Sequence, residues 1–271
     1  MNIHAMYWSA TGTTEKIVTA IAREIAGSVT GFTSYDFTLP AARQSCPDFG
    51  PDDLVVFGTP VYAGRVPNVL LKYLATVQGN GALAVPVVLY GNRNFDDGLI
   101  ELRDILEANG FHTIAGAAFV GEHAFSRTLA AGRPDAQDME TARGFAGKIL
   151  SMLSSGSWRT PVPVEGCTPL RPYYTPRDRK GSPVNILKVK PKTDLEKCDG
   201  CGICADVCPM GSIEHAQPEI VSGICIKCCA CEKKCPKGAK YFDDPGYLYH
   251  KEELELGYAR RAEPALFLSF K

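Results

Sequence analysis

YWSATGTTEKI, residues 7–17, closes an apolar strand and opens a helix, with Ser9, Thr11, Thr13 and Thr14 gathered round Gly12. The first lysine is Lys16, already inside the helical pattern. A side-chain cap accounts for one or two such hydroxyls; four round a single glycine form a cradle. Hydroxyls, backbone N–H groups and the positive end of a helix can hold one terminal phosphate with neutral donors alone. The stretch has neither the G-x-x-x-x-G-K-[ST] of a nucleoside triphosphate loop nor the G-x-G-x-x-G of a dinucleotide fingerprint. It reads as a phosphate site where the first strand of an open parallel sheet hands over to its helix.

Outward from this loop, residues 1–154 alternate two patterns. Strands are expected at 2–8, 29–37, 53–59, 83–91 and 112–121, and helices at 13–26, 67–77, 97–109 and 136–154. Pro67 suits a first helical turn, and Asp96 or Asp97 stands where the next helix needs a cap. Strands alternating with helices require a parallel five-stranded sheet covered on both faces, a three-layer α/β fold with right-handed crossovers. The net charge of −1 favours neither a nucleic-acid nor a membrane partner. No apolar run approaches the ~18–20 residues that cross a bilayer. The opening residues lack the order of a secretory signal, so the expected compartment is the cytoplasm.

Near Ser154 the alternation stops. Between Ser155 and Lys192 lie seven prolines and eight Lys or Arg against Glu165 and Asp178. Residues 155–189 read as a solvated connector; the alternative is a basic arm clamped onto the first 150 residues, whose net charge is −4. Residues 190–242 form a third unit, and 243–271, with KEELELGYARRAEP, a closing helix and tail able to cover the junction.

The third unit contains a repeat. Cys198, Cys201, Cys204 and Cys208 recur 27 residues later as Cys225, Cys228, Cys231 and Cys235, and Pro209 and Gly211 recur as Pro236 and Gly238. Zinc asks for two CxxC pairs or CxxC with two histidines, which these runs do not supply. Each run reads C-x2-C-x2-C-x3-C-P and resembles the bacterial ferredoxins that carry two 4Fe–4S clusters. The resemblance implies a small α+β module in which the fourth cysteine of each run serves the other cluster. Cys198, Cys201, Cys204 and Cys235 would hold one cluster, and Cys225, Cys228, Cys231 and Cys208 the other. Ligation would then staple a unit too small for a large core. Cys229 is off the pattern and reads as a buried thiol; Cys46 and Cys167 read as structural.

With this module behind it, S-x-T-G-x-T after the first strand resembles the FMN phosphate loop of flavodoxins. GTPVYAGRVP (58–67) and YGNRNFDD (90–97) resemble the two loops beside the flavin ring. The chain resembles the flavodoxin–ferredoxin fusion family, which implies strand order 2-1-3-4-5, FMN and two 4Fe–4S clusters. Carried onto this sequence, Ser9, Thr11, Gly12, Thr13 and Thr14 hold the phosphate, and Thr59, Pro60, Val61, Tyr62, Ala63 and Gly64 line the ring, with Tyr62 stacking. Gly91, Asn92 and Arg93 border the pyrimidine edge, where Arg93 or Arg65 would favour the reduced flavin. His123 follows the fifth strand on the same rim and is the candidate proton donor, with Glu122 to orient it. The second loop offers one aromatic, Phe95, so one face of the ring is left for another element to cover, the cysteine module among them.

The expected function is a cytoplasmic electron carrier passing low-potential electrons between the clusters and FMN, with a soluble protein as its redox partner. The rivals are an FMN-dependent reductase of NAD(P)H, a quinone or a small acceptor, and a redox-sensing scaffold. The two halves could meet within one chain or across a homodimer.

Overall fold

Along β3 (Asp53–Pro60), successive side chains point to opposite faces of a sheet, and both faces are apolar. Leu54 and Val56 join one buried cluster, Val55 and Phe57 another. The structure is a computed structural model that describes residues 1–27 and 31–269. In it β3 pairs in parallel with β1 (Asn2–Tyr7) and β4 (Leu83–Tyr90). β1 pairs also with β2 (Phe32–Asp36), and β4 with β5 (His112–Thr113) and β6 (Ala115–Val120). The fifth expected strand is thus interrupted at Ile114. The start of the expected strand 29–37 lies outside the described residues. Helix α1 (Thr13–Ala26) and α4 (Ala136–Ser155) cover one face through Ile17, Val18, Ile21, Phe145 and Ile149. The other face carries a 3-10 turn at Asn68–Leu70, α2 (Leu71–Leu74) and α3 (Gly98–Ala108). The expected helix 67–77 is therefore shortened to a 3-10 turn followed by one α-helical turn. Each fully buried Leu, Ile or Phe contributes about 1.5–3 kcal/mol, so these two clusters hold the first domain.

The strand order is β2-β1-β3-β4-β6, and it reverses between β1 and β3. At such a switch point the loops leaving neighbouring strands diverge and open a crevice at the carboxyl rim.

The remaining chain corrects three expectations. First, the sheet is not purely parallel: β9 (Ala265–Leu268), from the tail, pairs antiparallel with β6. Second, residues 155–189 are no free connector. The carboxylate of Asp97, with no exposed surface, accepts from the backbone N–H of Cys167 (3.0 Å) and Arg171 (2.7 Å) and from the Arg171 guanidinium (3.0 and 2.5 Å). Arg65, paired with Glu101 at 2.7 and 2.6 Å, lies 4.9 Å from the ring centre of Tyr173. Third, Asp97 sits at the N-cap position of α3 but gives it no side-chain hydrogen bond, because the arm takes both its oxygens.

The cysteine segment has little regular structure. β7 (Lys192–Thr193) pairs antiparallel with β8 (Lys240–Tyr241), and two short helices, α5 (Ile203–Asp206) and α6 (Ala230–Lys233), each hold the third cysteine of a run. The last helix, α7 (Pro245–Gly257), is capped by Asp244 and precedes β9. Among the described residues no helix is long and apolar enough to cross a membrane.

Candidate redox site

The phosphate-type loop ends β1 where Gly12, at φ 93°, turns the chain into α1. The backbone N–H groups of Thr11, Gly12, Thr13 and Thr14 have no acceptor among the described residues. Ser9 is committed in part: its Oγ accepts from the Glu15 N–H at 3.1 Å, leaving its own O–H to donate. Lys16 turns away, its Nζ 2.6 Å from the carbonyl of Pro134. The helix end lies close against the sheet; a Cβ on Gly58 would come within 2.3 Å of Val18. Thr11, Thr13 and Thr14 open into a cleft of about 270 Å³.

Four rim loops line that cleft. After β3, Pro60, Val61, Tyr62, Ala63 and Gly64 contribute one wall. Tyr62 and Arg65 bond to each other through their backbones across a turn whose central residues, Ala63 and Gly64, have φ of 51° and 78°, the left-handed pair that a two-residue turn demands. Trp8, not foreseen from the sequence, meets Tyr62 edge to face at 5.9 Å and lines the cleft too. The indole N–H of Trp8 and the hydroxyl of Thr59, one step beyond the Tyr7–Gly58 register pair, are buried without partners. Buried polar groups normally find partners, so this end of the sheet has hydrogen-bonding groups still to be satisfied. Thr59 itself lies under the wall.

After β4, Gly91 and Arg93 reach the cleft, and Asn92 does not. Asn92 grips the tail: its Nδ2 donates to the carbonyls of Tyr258 and Arg260, both at 2.6 Å, and its Oδ1 accepts from Ala262 at 3.2 Å. Arg93 pairs with Asp96 and stands 4.5 Å from the ring centre of Tyr174. Arg65, held by Glu101, is away from the cleft. Phe95 is core, 5.7 Å from Tyr90, so it covers no ligand face.

After β6, His123 packs on Gly91; a Cβ there would lie 2.3 Å from the imidazole. Its Nδ1 accepts from the Phe125 N–H at 3.1 Å, which leaves the proton on Nε2. Burial, then the charges of His250, Lys233 and Arg93, bring its pKa down to about 3. At neutral pH it is a hydrogen-bond donor and not an acid. Glu122 does not orient it: that carboxylate binds Lys233 and the Gly132 N–H.

The remaining wall comes from elsewhere. Cys228, Ile226 and Lys227 line the same cleft, with Ile186 and Leu187 of the arm and His250 of α7. Cys228 and Ala230 belong to the same buried cluster as Trp8 and Tyr90. The face left open by the second loop is therefore closed by the cysteine segment. Two grips hold it there. Arg43 donates to the carbonyl of Pro209 at 2.7 Å, just after Cys208, and Lys233 binds Glu122 and, at 2.7 Å, the carbonyl of Ser126.

The thiols fall into two groups. Cys198, Cys201, Cys204 and Cys235 line one hollow; Cys208, Cys225, Cys228 and Cys231 line another, which Cys229 also borders. Each therefore draws its fourth thiol from the other run. Among the described residues no three His, Cys, Asp or Glu side chains gather closely enough to hold a single metal ion. The Ser212 and Ala239 N–H groups donate to Cys208 and Cys235 at 3.4 and 3.3 Å. Cys201 is exposed, whereas Cys228 and Cys231 are buried. Cys229 packs with Ile186, Phe242 and Tyr247, its sulfur 3.4 Å from the Tyr247 hydroxyl. Cys46 and Cys167 are exposed and line neither hollow, and the Cys46 sulfur lies 3.1 Å from the Thr76 hydroxyl.

A model of the flavodoxin domain matches residues 5–85, and a model of the 4Fe–4S binding domain matches residues 191–214. No curated protein matches the chain. Among solved structures it is similar to the flavodoxin of Streptococcus pneumonia TIGR4, at 18% identity and a TM-score of 0.37 over 55% of this chain and 97% of that one. Flavodoxin 1 from Bacillus cereus is 15% identical, with a TM-score of 0.39 over 55% and 96%. Fusobacterium nucleatum flavodoxin bound to flavin mononucleotide is 17% identical, with a TM-score of 0.37 over 57% and 97%.

Proposed function

Because the chain joins a flavodoxin domain to a 4Fe–4S binding domain, we propose that it is an electron carrier passing low-potential electrons between two 4Fe–4S clusters and FMN. Clusters supply one-electron steps and the flavin one- or two-electron steps, which lets electrons arriving singly leave as a pair.

One observation carries the reading: Cys228 lines the same cleft as Thr11, Thr13 and Thr14. In this reading the threonine hydroxyls and open N–H groups hold the phosphate, Trp8 and Tyr62 form the apolar wall for the ring, and Ile226 and Cys228 exclude water from the opposite side. His123 offers its Nε2–H as a hydrogen bond. Its low pKa argues against a reductase in which it acts as the acid. The Cys198–Cys201–Cys204–Cys235 set, with Cys201 exposed, faces a soluble redox partner; the Cys208–Cys225–Cys228–Cys231 set relays to the flavin.

The test is an anaerobic titration of the loaded protein with NADH, NADPH and then dithionite, following flavin and cluster absorbance alongside iron content. A carrier holds about eight iron atoms per chain, two cubanes of four, and bleaches with dithionite or a reduced ferredoxin but not with either nicotinamide. Rapid bleaching of the flavin by NADH or NADPH would make it a reductase.

A further inference from the structure

The 27-residue repeat fails at one buried position. It aligns Gly211 with Gly238, Ser212 with Ala239 and Ile213 with Lys240. The backbone keeps the symmetry: both glycines are left-handed, at φ 57° and 60°, and the next residue in each donates its N–H to the fourth cysteine of its run. The side chains do not. Ile213, 8% exposed, packs with Cys204 and Cys231 and lines the inner hollow, whose Cys228 reaches the flavin cleft. Lys240, 3% exposed, lines the outer hollow of Cys198, Cys201, Cys204 and Cys235.

The backbone of Lys240 is fixed opposite Thr193 in the β7–β8 ladder. Its Nζ donates to the carbonyl of Pro218, which already accepts from the Thr193 hydroxyl at 3.2 Å. Among the described residues no carboxylate pairs with it. An unpaired cation under the surface is poorly solvated, and an anionic group in the outer hollow offsets that cost.

We propose that Lys240 raises the potential of the outer cluster, by placing a buried cation against it where the repeat gives the inner one Ile213. The inner set has a cation of its own in half-buried Lys227, whose Nζ donates to the Cys225 carbonyl at 3.0 Å. The proposal rests on the two-cluster reading above. Taking up one electron adds one negative charge to a cluster, with no bond made or broken. A fixed cation in a poorly solvated site favours that charge, and an isoleucine in the matching place does not. Lys240 therefore makes the outer cluster, near exposed Cys201, easier to reduce than it would be with an isoleucine in that place.

An EPR-monitored titration of the fully loaded chain, with dithionite as electron donor, tests this in the parent and in Lys240→Met and Lys240→Arg. Lys240→Met is expected to lower one cluster potential and leave the other near its parental value, the shift being at least tenfold in the reduced-to-oxidised ratio, about 59 mV for a one-electron couple. Lys240→Arg, which keeps the charge, should preserve both parental potentials. If Lys240→Met does not retain its iron, Lys240→Gln decides in the same way, since it keeps an N–H donor for Pro218 and loses the charge. Full iron content with unmoved potentials in the neutral variant overturns the proposal alone. A parent with about four iron atoms and a single EPR-active cluster overturns the two-cluster reading as well.

Discussion

The flavodoxin domain and the cysteine segment are held by different forces. The first encloses Phe57, Phe119, Phe145, Ile17 and Leu54 completely, on two faces of one sheet. The second has paired strands of two residues, helices of four, and apolar clusters in which cysteines themselves are members. A sheet domain can be stable before it binds anything. A segment whose thiols are part of its core depends on what those thiols bind. The difference also fixes which unit positions the other: the rigid rim presents Glu122, Arg43 and Tyr62, and the segment docks against them.

The hardest test of this contrast is removal of iron by a chelator under anaerobic reducing conditions. Amides of residues 190–242 should lose their exchange protection completely, while β1, β3, β4 and β6 keep theirs. β9 should remain protected with them, because its partner is β6. Persistent protection across 190–242 would show that the segment has a sufficient core of its own.

A smaller effect is expected where the two units are tied together. Asp97→Asn removes a buried charge that holds two backbone N–H groups and a guanidinium, and whose pKa those partners bring down to about 2. The loss should be about 2–3 kcal/mol, a fall in melting temperature of roughly 5–10 °C, with the proline-rich arm becoming open to proteases. A parental melting curve with an uncut arm would mean that the arm needs no clamp.

Legibility in the sequence follows the same division. Helix α1 and strands β1, β3 and β4 were readable because periodic burial writes itself into adjacent residues. The eight cysteines were readable because the repeat names them, and their division into two swapped sets came from the ferredoxin resemblance. Contacts made across the chain left no such trace. Asp97 looks locally like a helix cap, and only Arg171, 74 residues away, makes it a clamp. The tail's ALFL is too short to announce a strand, and its pairing depends on an edge that β6 leaves open. Trp8 read as the last residue of a strand and is also a wall of the cleft. Asn92 stood in a flavin-type loop, yet its carboxamide serves the C-terminal tail.

The finest test concerns the rim where the two units meet. His123 is kept neutral there by burial and by the nearby charges of His250, Lys233 and Arg93. Its folded pKa, about 3, lies below the ordinary value of 6.5, so between those limits the unfolded chain binds the extra proton. The stability it contributes is complete above pH 6.5 and declines as pH falls through that window. His250 is lowered as well and declines in the same direction, so the slope of the parent contains both. Comparison with His123→Gln isolates one. Between pH 7 and pH 5 the parent should lose about 1–2 kcal/mol more than the variant, a difference of roughly 2–6 °C in melting temperature at a fixed scan rate. Equal losses would mean that His123 is free to protonate in the folded protein. The closed rim, with the cysteine segment seated against it, would then have to open at mildly acidic pH.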